Sequence, residues 1–282
     1  MPQNRLLASL GTVAAYLLGI GLLQYIISSI ASLFGLLPAA LAPWVGAMVM
    51  AVVPIVGTIV YLDWRWAWRL EHIGMEWNGQ AAVRLVLGAV LGLLAALAAH
   101  SVTWLMSGPA WPLLPQSWNL RPFTGSELIT VLGGAFATEM VFRGAVVSRY
   151  EADLHDWEIV GAAVLTPFLW DMVQRFMRLG MLDTAVGSLW LGAMSVSLTL
   201  LFLRFESAWL TAGLRFGMAT GMMLLPLVVS DNSALIIWGA VAVVLAVLEW
   251  FRRQGMPRKL PPRRGPQRVV RGKTVRGPWG PH

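Results

Sequence analysis

Residues 126–149 read SELITVLGGAFATEMVFRGAVVSR, an apolar run long enough to cross a bilayer with an acid, Glu139, and a base, Arg143, set inside it. A hydrocarbon core needs roughly 20 residues of helix. Glu139 and Arg143 are four residues apart and so share one helix face. A charge at the middle of a membrane helix costs about 2.5–3.5 kcal/mol on insertion scales. The segment therefore calls for polar company from other helices. Asp171 and Arg215, each inside a later apolar run, are the candidates. Four such groups left unpaired would cost on the order of 10 kcal/mol or more. They are expected to be paired, hydrated or both, around one polar cavity between helices.

Working outward from that stretch, apolar segments cover about 6–37, 44–62, 80–106, 126–149, 157–177, 184–204, 207–229 and 233–251. The fold class expected is an all-α polytopic membrane protein with about eight transmembrane helices. The first segment is longer than a signal-peptide core and lacks a suitably placed small-residue cleavage site, so it is expected to be retained. Ser28–Ser32 mark a candidate bend in it. The whole-chain figures agree: 57% of the 282 residues are hydrophobic and only 12% are charged, against about 25% charged in soluble domains. Mean hydropathy is +0.66. A soluble single-core domain and a largely disordered chain are both excluded. The chain has no Cys, which excludes disulfides, thiolate catalysis, Cys-ligated zinc, iron–sulfur clusters and Cys lipidation.

Charge is unevenly placed. Residues 252–282 hold ten Lys and Arg and no acid, whereas residues 1–251 hold 11 basic and 14 acidic groups. The chain divides into a transmembrane helical domain, 1–251, and a Pro-, Gly- and Arg-rich tail, 252–282, expected to be disordered. Anionic lipid headgroups are the tail's expected partner; nucleic acid is not expected, because no aromatic residues interleave the basic ones for base stacking. Arg5, Arg65, Arg69, Arg149, Arg204 and the tail fall on one side of an eight-span topology, and Arg121, Arg175 and Arg178 on the other. The excess places both termini in the cytoplasm of a multi-pass protein of the cell (inner, plasma) membrane. The segment 63–79, DWRWAWRLEHIGMEWNG, is an interfacial stretch along the cytoplasmic surface. Four prolines make 108–123 a loop. Gly88-x-x-x-Gly92 and Gly217-x-x-x-Gly221 permit close helix approach. Pro167 and Pro226 are expected to bend their helices, Pro167 aiming Asp171 inward.

The run Ala137-Thr138-Glu139-Met140-Val141-Phe142-Arg143-Gly144 resembles the first motif of the CPBP family (CAAX protease and bacteriocin-processing enzymes, CAAX prenyl protease 2-like), which reads Glu-Glu-x-x-x-Arg. Phe168-Leu169-Trp170-Asp171 falls where that family has an apolar run ending in His. Ser207-Ala208-Trp209, followed by Arg215, resembles the run that leads to its second His. The resemblance covers about 126–229 and implies a CPBP-like helical bundle and intramembrane endopeptidase chemistry.

The departures from the pattern fall on the catalytic positions. The family's first Glu matches Thr138. Glu139 and Arg143 are retained. The two His match Asp171 and Arg215, and the Asn or Asp that follows matches Ala219. Neutral His can accept a proton or ligate a metal; Arg offers only donors and stays charged. The family is sometimes described as metal-dependent, but the ligands are absent here and no cofactor is expected. The expected function is thus a CPBP-like membrane protein with lost or altered peptidase activity, whose vestigial cavity binds a hydrophobic peptide, a membrane protein or a lipid. An Asp171–Arg215 ion pair is expected in the space of the two His. Two alternatives stay open: an active CAAX-type endopeptidase using Glu139 and Asp171, and a small-solute transporter or channel-like protein lined by these charges. His100, in an apolar helix, reads as a hydrogen-bonded packing residue, and His155 as a solvated loop residue.

Overall fold

The computed structural model describes residues 3–33, 42–66, 68–107, 124–154, 156–179, 181–224, 230–254, 269–270 and 273–274. Among the described residues eight long helices follow one another: α1 (Gln3–Leu33), α2 (Ala42–Tyr61), α3 (Gly79–Ser107), α4 (125–153), α5 (Asp156–Leu179), α6 (Met181–Phe205), α7 (Ala208–Leu224) and α8 (Asp231–Gln254). The protein is an all-α membrane protein. Five of its described helical segments are long and apolar enough to cross a bilayer: Leu7–Ile27, Trp44–Arg65, Gly79–Ser107, Gly125–Glu151 and Asn232–Phe251. Two residue pairs, Val269–Val270 and Lys273–Thr274, form a minimal antiparallel ladder; most of the basic tail otherwise lies outside the described residues, as do the proline-rich loop 108–123, His155 and Pro226.

The centre of the bundle is α4. Thr124 caps it: its Oγ1 accepts from the Glu127 amide, and the Glu127 carboxylate accepts from the Thr124 amide in return. This reciprocal box satisfies amides that a helix start leaves unbonded. Along α4, ordinary turns alternate with wider ones, at Ile129–Gly133 and Met140–Val147. Every side chain from Glu139 to Val147 is buried, so this length of helix is enclosed around its whole circumference, as a core helix must be. Val13, Tyr16, Leu17 and Ile20 of α1 pack on it with Ala162 and Ala163 of α5. Polar groups tie its neighbours together: the Tyr16 hydroxyl meets Thr58 Oγ1 of α2 at 2.6 Å, and the Tyr150 hydroxyl of α4 meets Thr166 Oγ1 of α5 at 2.8 Å. At Ser28–Ser32, α1 continues without a break to Leu33; serine costs only a few tenths of a kcal/mol in a helix and no proline interrupts the turn.

Helices α3 and α7 make the most intimate contact. A Cβ placed on Gly88 or Gly92 would collide with the backbone carbonyls of Leu210 or Leu214, and one on Gly213 or Gly217 with those of Leu85 or Ala89. The two backbones therefore touch directly, the arrangement small residues spaced by four allow in a membrane. The pairing uses Gly213 and Gly217 on α7. Glycines at 213, 217 and 221 share one face of α7, and spacing alone does not say which two meet a partner.

The stretch between α2 and α3 lies half on the surface and half in the core. Trp64 and Trp77 are 79% and 78% exposed, while Trp68, Ile73 and Met75 are buried. It is pinned to the α6–α7 turn: Gly74 takes a left-handed backbone (φ 70°), its carbonyl accepts from the Ala208 amide at 3.0 Å, and a Cβ there would meet the Glu206 carbonyl oxygen. Trp209 Nε1 donates to the Glu76 carbonyl at 3.1 Å, with the Trp209 ring packed between Trp77 and Phe136.

The glycine contact predicts the sign of two kinds of substitution. Gly92→Leu and Gly217→Leu must force α3 and α7 apart, at a cost of about 1–3 kcal/mol or more. Gly239→Ala, at a helical position with open space around it, should be neutral or stabilise by up to about 1 kcal/mol. Thermal melts of the purified protein in micelles distinguish the two. Equal melting temperatures for all three variants would remove the α3–α7 contact as a determinant of the fold.

Candidate functional site: a charged cavity between helices

Glu139 sits where an ordinary turn of α4 passes into the wide turn Met140–Val147. Its side chain is 0% exposed. A single carboxylate oxygen, Oε1, accepts from two bases: Arg143 Nη1 at 3.4 Å on the same helix and Arg215 Nε at 2.9 Å on α7. Arg143, 1% exposed, turns its other amino group to α6, where Nη2 donates to Ser195 Oγ at 2.9 Å and to the Ser195 carbonyl at 3.3 Å. Arg215 is 27% exposed. Three helices, α4, α6 and α7, are thus joined through one acid.

These groups border a cavity of about 280 Å³. Its polar surface comes from Arg143, Arg215, Ser195, Thr130, Thr138 and Gln24, and the rest from apolar side chains such as Leu17, Ile20, Pro54, Phe142, Leu191 and Met194. Glu139 does not face it; the carboxylate lies behind the two guanidiniums. Thr138 does face it, and its hydroxyl donates back to the Gly134 carbonyl at 2.7 Å. Pro167, one turn before Asp171, lines the cavity from within the unbroken α5. The Asp171 side chain lies outside the described residues, and the partner the structure gives Arg215 is Glu139. Ala219, one turn beyond Arg215 on α7, does not line the cavity, nor does His100, which is buried on α3.

No protein-family model, curated protein or solved structure matches this chain. The chemistry of the site has to be read from its own atoms. The described groups suit an anion better than a cation. Guanidinium groups offer only N–H donors, and the one described carboxylate is enclosed and already bonded to both. A metal, the cofactor the family resemblance implies, would meet two like charges here and does not fit this donor set. Water in the cavity would find donors and hydroxyls, but no described carboxylate or imidazole oriented to take its proton.

Several members of the site carry no motif. Ser195 stands in an apolar helix as one of a row with Ser197 and Thr199; polar residues at alternate positions of a membrane span are the signal that points to it. Gln24 and Leu17 bring α1 into the site from well outside residues 126–229.

Burial of the pair gives it a measurable energy. Glu139→Gln leaves an enclosed guanidinium without its counter-charge and is expected to destabilise by about 3–5 kcal/mol. Adding Arg143→Met to that variant should cost much less than Arg143→Met alone, giving a coupling of roughly 0.5–3 kcal/mol in a double-mutant cycle. Denaturation in mixed micelles measures it; strictly additive losses would show that the two groups do not act as a pair.

Proposed function

We propose that this chain is an eight-span protein of the cell membrane, built on a CPBP-like bundle, in which hydrolysis has lapsed and the cavity serves for binding. Its ligand is hydrophobic: a peptide, a segment of another membrane protein or a lipid. The observation that carries this reading is the enclosure of Glu139. The acid at the family's motif position is held by Arg143 and Arg215 and has no face toward the cavity. A general base must reach the proton it removes, whereas a binding site needs only a shaped, largely apolar space with a few fixed polar groups. The cavity meets the second description. The gathering of Thr138, Arg143 and Arg215 around one space is what the CPBP-like reading of 126–229 anticipates, and it supports that reading of the bundle.

Both termini lie on the cytoplasmic side in this reading, supported by the distribution of Arg and Lys. The exposed Trp64 and Trp77, on a segment otherwise pinned to the protein, suit a headgroup-level belt on that side. A reporter fused after Gly255 should be active only as a cytoplasmic one; periplasmic activity would overturn the topology.

The binding reading is tested with a dansyl-labelled hydrophobic peptide and a pyrene-labelled lipid added to the purified protein in nanodiscs. Saturable binding of at least one probe is expected, with no cleavage of the peptide. Leu191→Trp, which fills the cavity, should weaken binding by about tenfold, or roughly 1.4 kcal/mol. Cleavage that disappears in Glu139→Gln would replace this reading with an active peptidase.

A further inference from the structure

Which hydrophobic ligand the cavity takes is a question of charge. Among the described groups around it, two guanidiniums face one carboxylate, a net charge of +1. The order of the groups matters as much as the sum. Glu139 stands behind and the bases stand in front, so the positive side of the cluster is turned to the cavity. A positive edge turned to a cavity favours an anionic ligand over a neutral one.

The donors that remain are placed to answer an anion. Arg215 uses Nε on Glu139, and its two Nη groups have no acceptor among the described residues. Ser195 Oγ accepts from Arg143 and keeps its own O–H, buried at the cavity wall, free to donate. A guanidinium edge and a hydroxyl together recognise a carboxylate or a phosphate oxygen. The two guanidiniums repel a cation, and the Ser195 oxygen already accepts from one of them. The remaining lining, Leu17, Ile20, Phe142 and Met194 among it, is apolar and suits a hydrocarbon chain. At about 280 Å³ the space lies just below the usual range of ligand pockets, roughly 300–1,000 Å³, which suits one chain end and its headgroup rather than two chains.

We infer that the cavity holds the anionic head of a single acyl chain on Arg215 and Ser195, with the chain along the apolar lining. This rests on the binding reading above and narrows it to an anionic amphiphile. Two sources share the chemistry: a free fatty acid, and an anionic phospholipid that inserts one chain from the bilayer. The field of the guanidiniums selects the charge, and their fixing by Glu139 and Ser195 holds them in place for it without reorganisation.

The test uses the full chain in phosphatidylcholine nanodiscs and two probes of equal length, radiolabelled hexadecanoate and hexadecanol. Hexadecanoate should bind about tenfold more tightly or better, and the ratio should fall toward unity in Arg215→Met while Arg215→Lys keeps part of it. Ser195→Ala, a smaller change that leaves Arg143 Nη2 the Ser195 carbonyl as acceptor, should lower the ratio severalfold with a smaller fall in melting temperature than Arg215→Met, so that the inference does not depend on Arg215→Met folding. Adding phosphatidylglycerol to the nanodiscs separates the sources. Competition with hexadecanoate supports a bilayer phospholipid as occupant, and its absence supports a free acid. Equal affinity for the acid and the alcohol in the wild type overturns the anionic inference and leaves the binding reading standing. If both single-chain probes fail while the dansyl peptide binds, the anionic-amphiphile inference falls alone; if nothing binds, the two readings fall together.

Discussion

One carboxylate oxygen, Glu139 Oε1, holds the middle of this protein together. It accepts from a base on its own helix and from one on α7, and the first of these bases reaches on to α6. In water such contacts would contribute little. Enclosed as they are, each partner has become a condition for the burial of the others, because an ion stripped of its counter-charge inside the bundle is far more costly than the pair. The arrangement is therefore a structural commitment. It fixes the spacing of α4, α6 and α7, and the cavity is the space those helices leave when so spaced.

That acid can hold α7 only because α7 is already constrained from its other side. The mutual approach of Gly88 and Gly92 with Gly213 and Gly217 seats α7 on α3 backbone to backbone. Arg215 lies between Gly213 and Gly217 in sequence, so the contact that sets the helix also sets the height at which its base projects. Lower down, the docking of Gly74 and Glu76 against Ala208 and Trp209 fixes the start of the same helix. Packing thus precedes electrostatics in the logic of the fold: close-packed glycines place the base, and the base then finds the acid.

Much of this is legible in the sequence, for physical reasons that differ from residue to residue. Long apolar runs announce the helices, since a bilayer tolerates few other solutions for a backbone. The i,i+4 spacing of Glu139 and Arg143 announces their pairing. The bond from Arg215 to Glu139 was not legible: the substitution pattern pointed to Asp171, whose side chain lies outside the described residues, and sequence spacing holds no information about which acids on other helices a base meets. Ser195 was missed because its one cue, the row it forms with Ser197 and Thr199 in an apolar helix, names no partner, and the contribution of α1 because the motif-bearing region begins long after it. The sequence reading took Gly217–Gly221 on α7, and Gly213–Gly217, which the structure seats on α3, is an equivalent spacing on the same face.

The wide turns of α4 carry a consequence for how this helix can vary. A stretch wound with an additional residue per turn behaves like an insertion that the helix has absorbed, and such bulges recur at functional sites. Each residue of an ordinary helix advances the direction of the side chains by about 100°. Shortening Met140–Val147 by one residue would restore regular winding and leave the two halves of α4 nearly in phase, whereas the same deletion from a regularly wound stretch would turn one half by about 100° against the other. The wide turn that carries Arg143 thus sets the phase between Glu139 and the downstream half of α4, and winding is as much a part of this site as its charges.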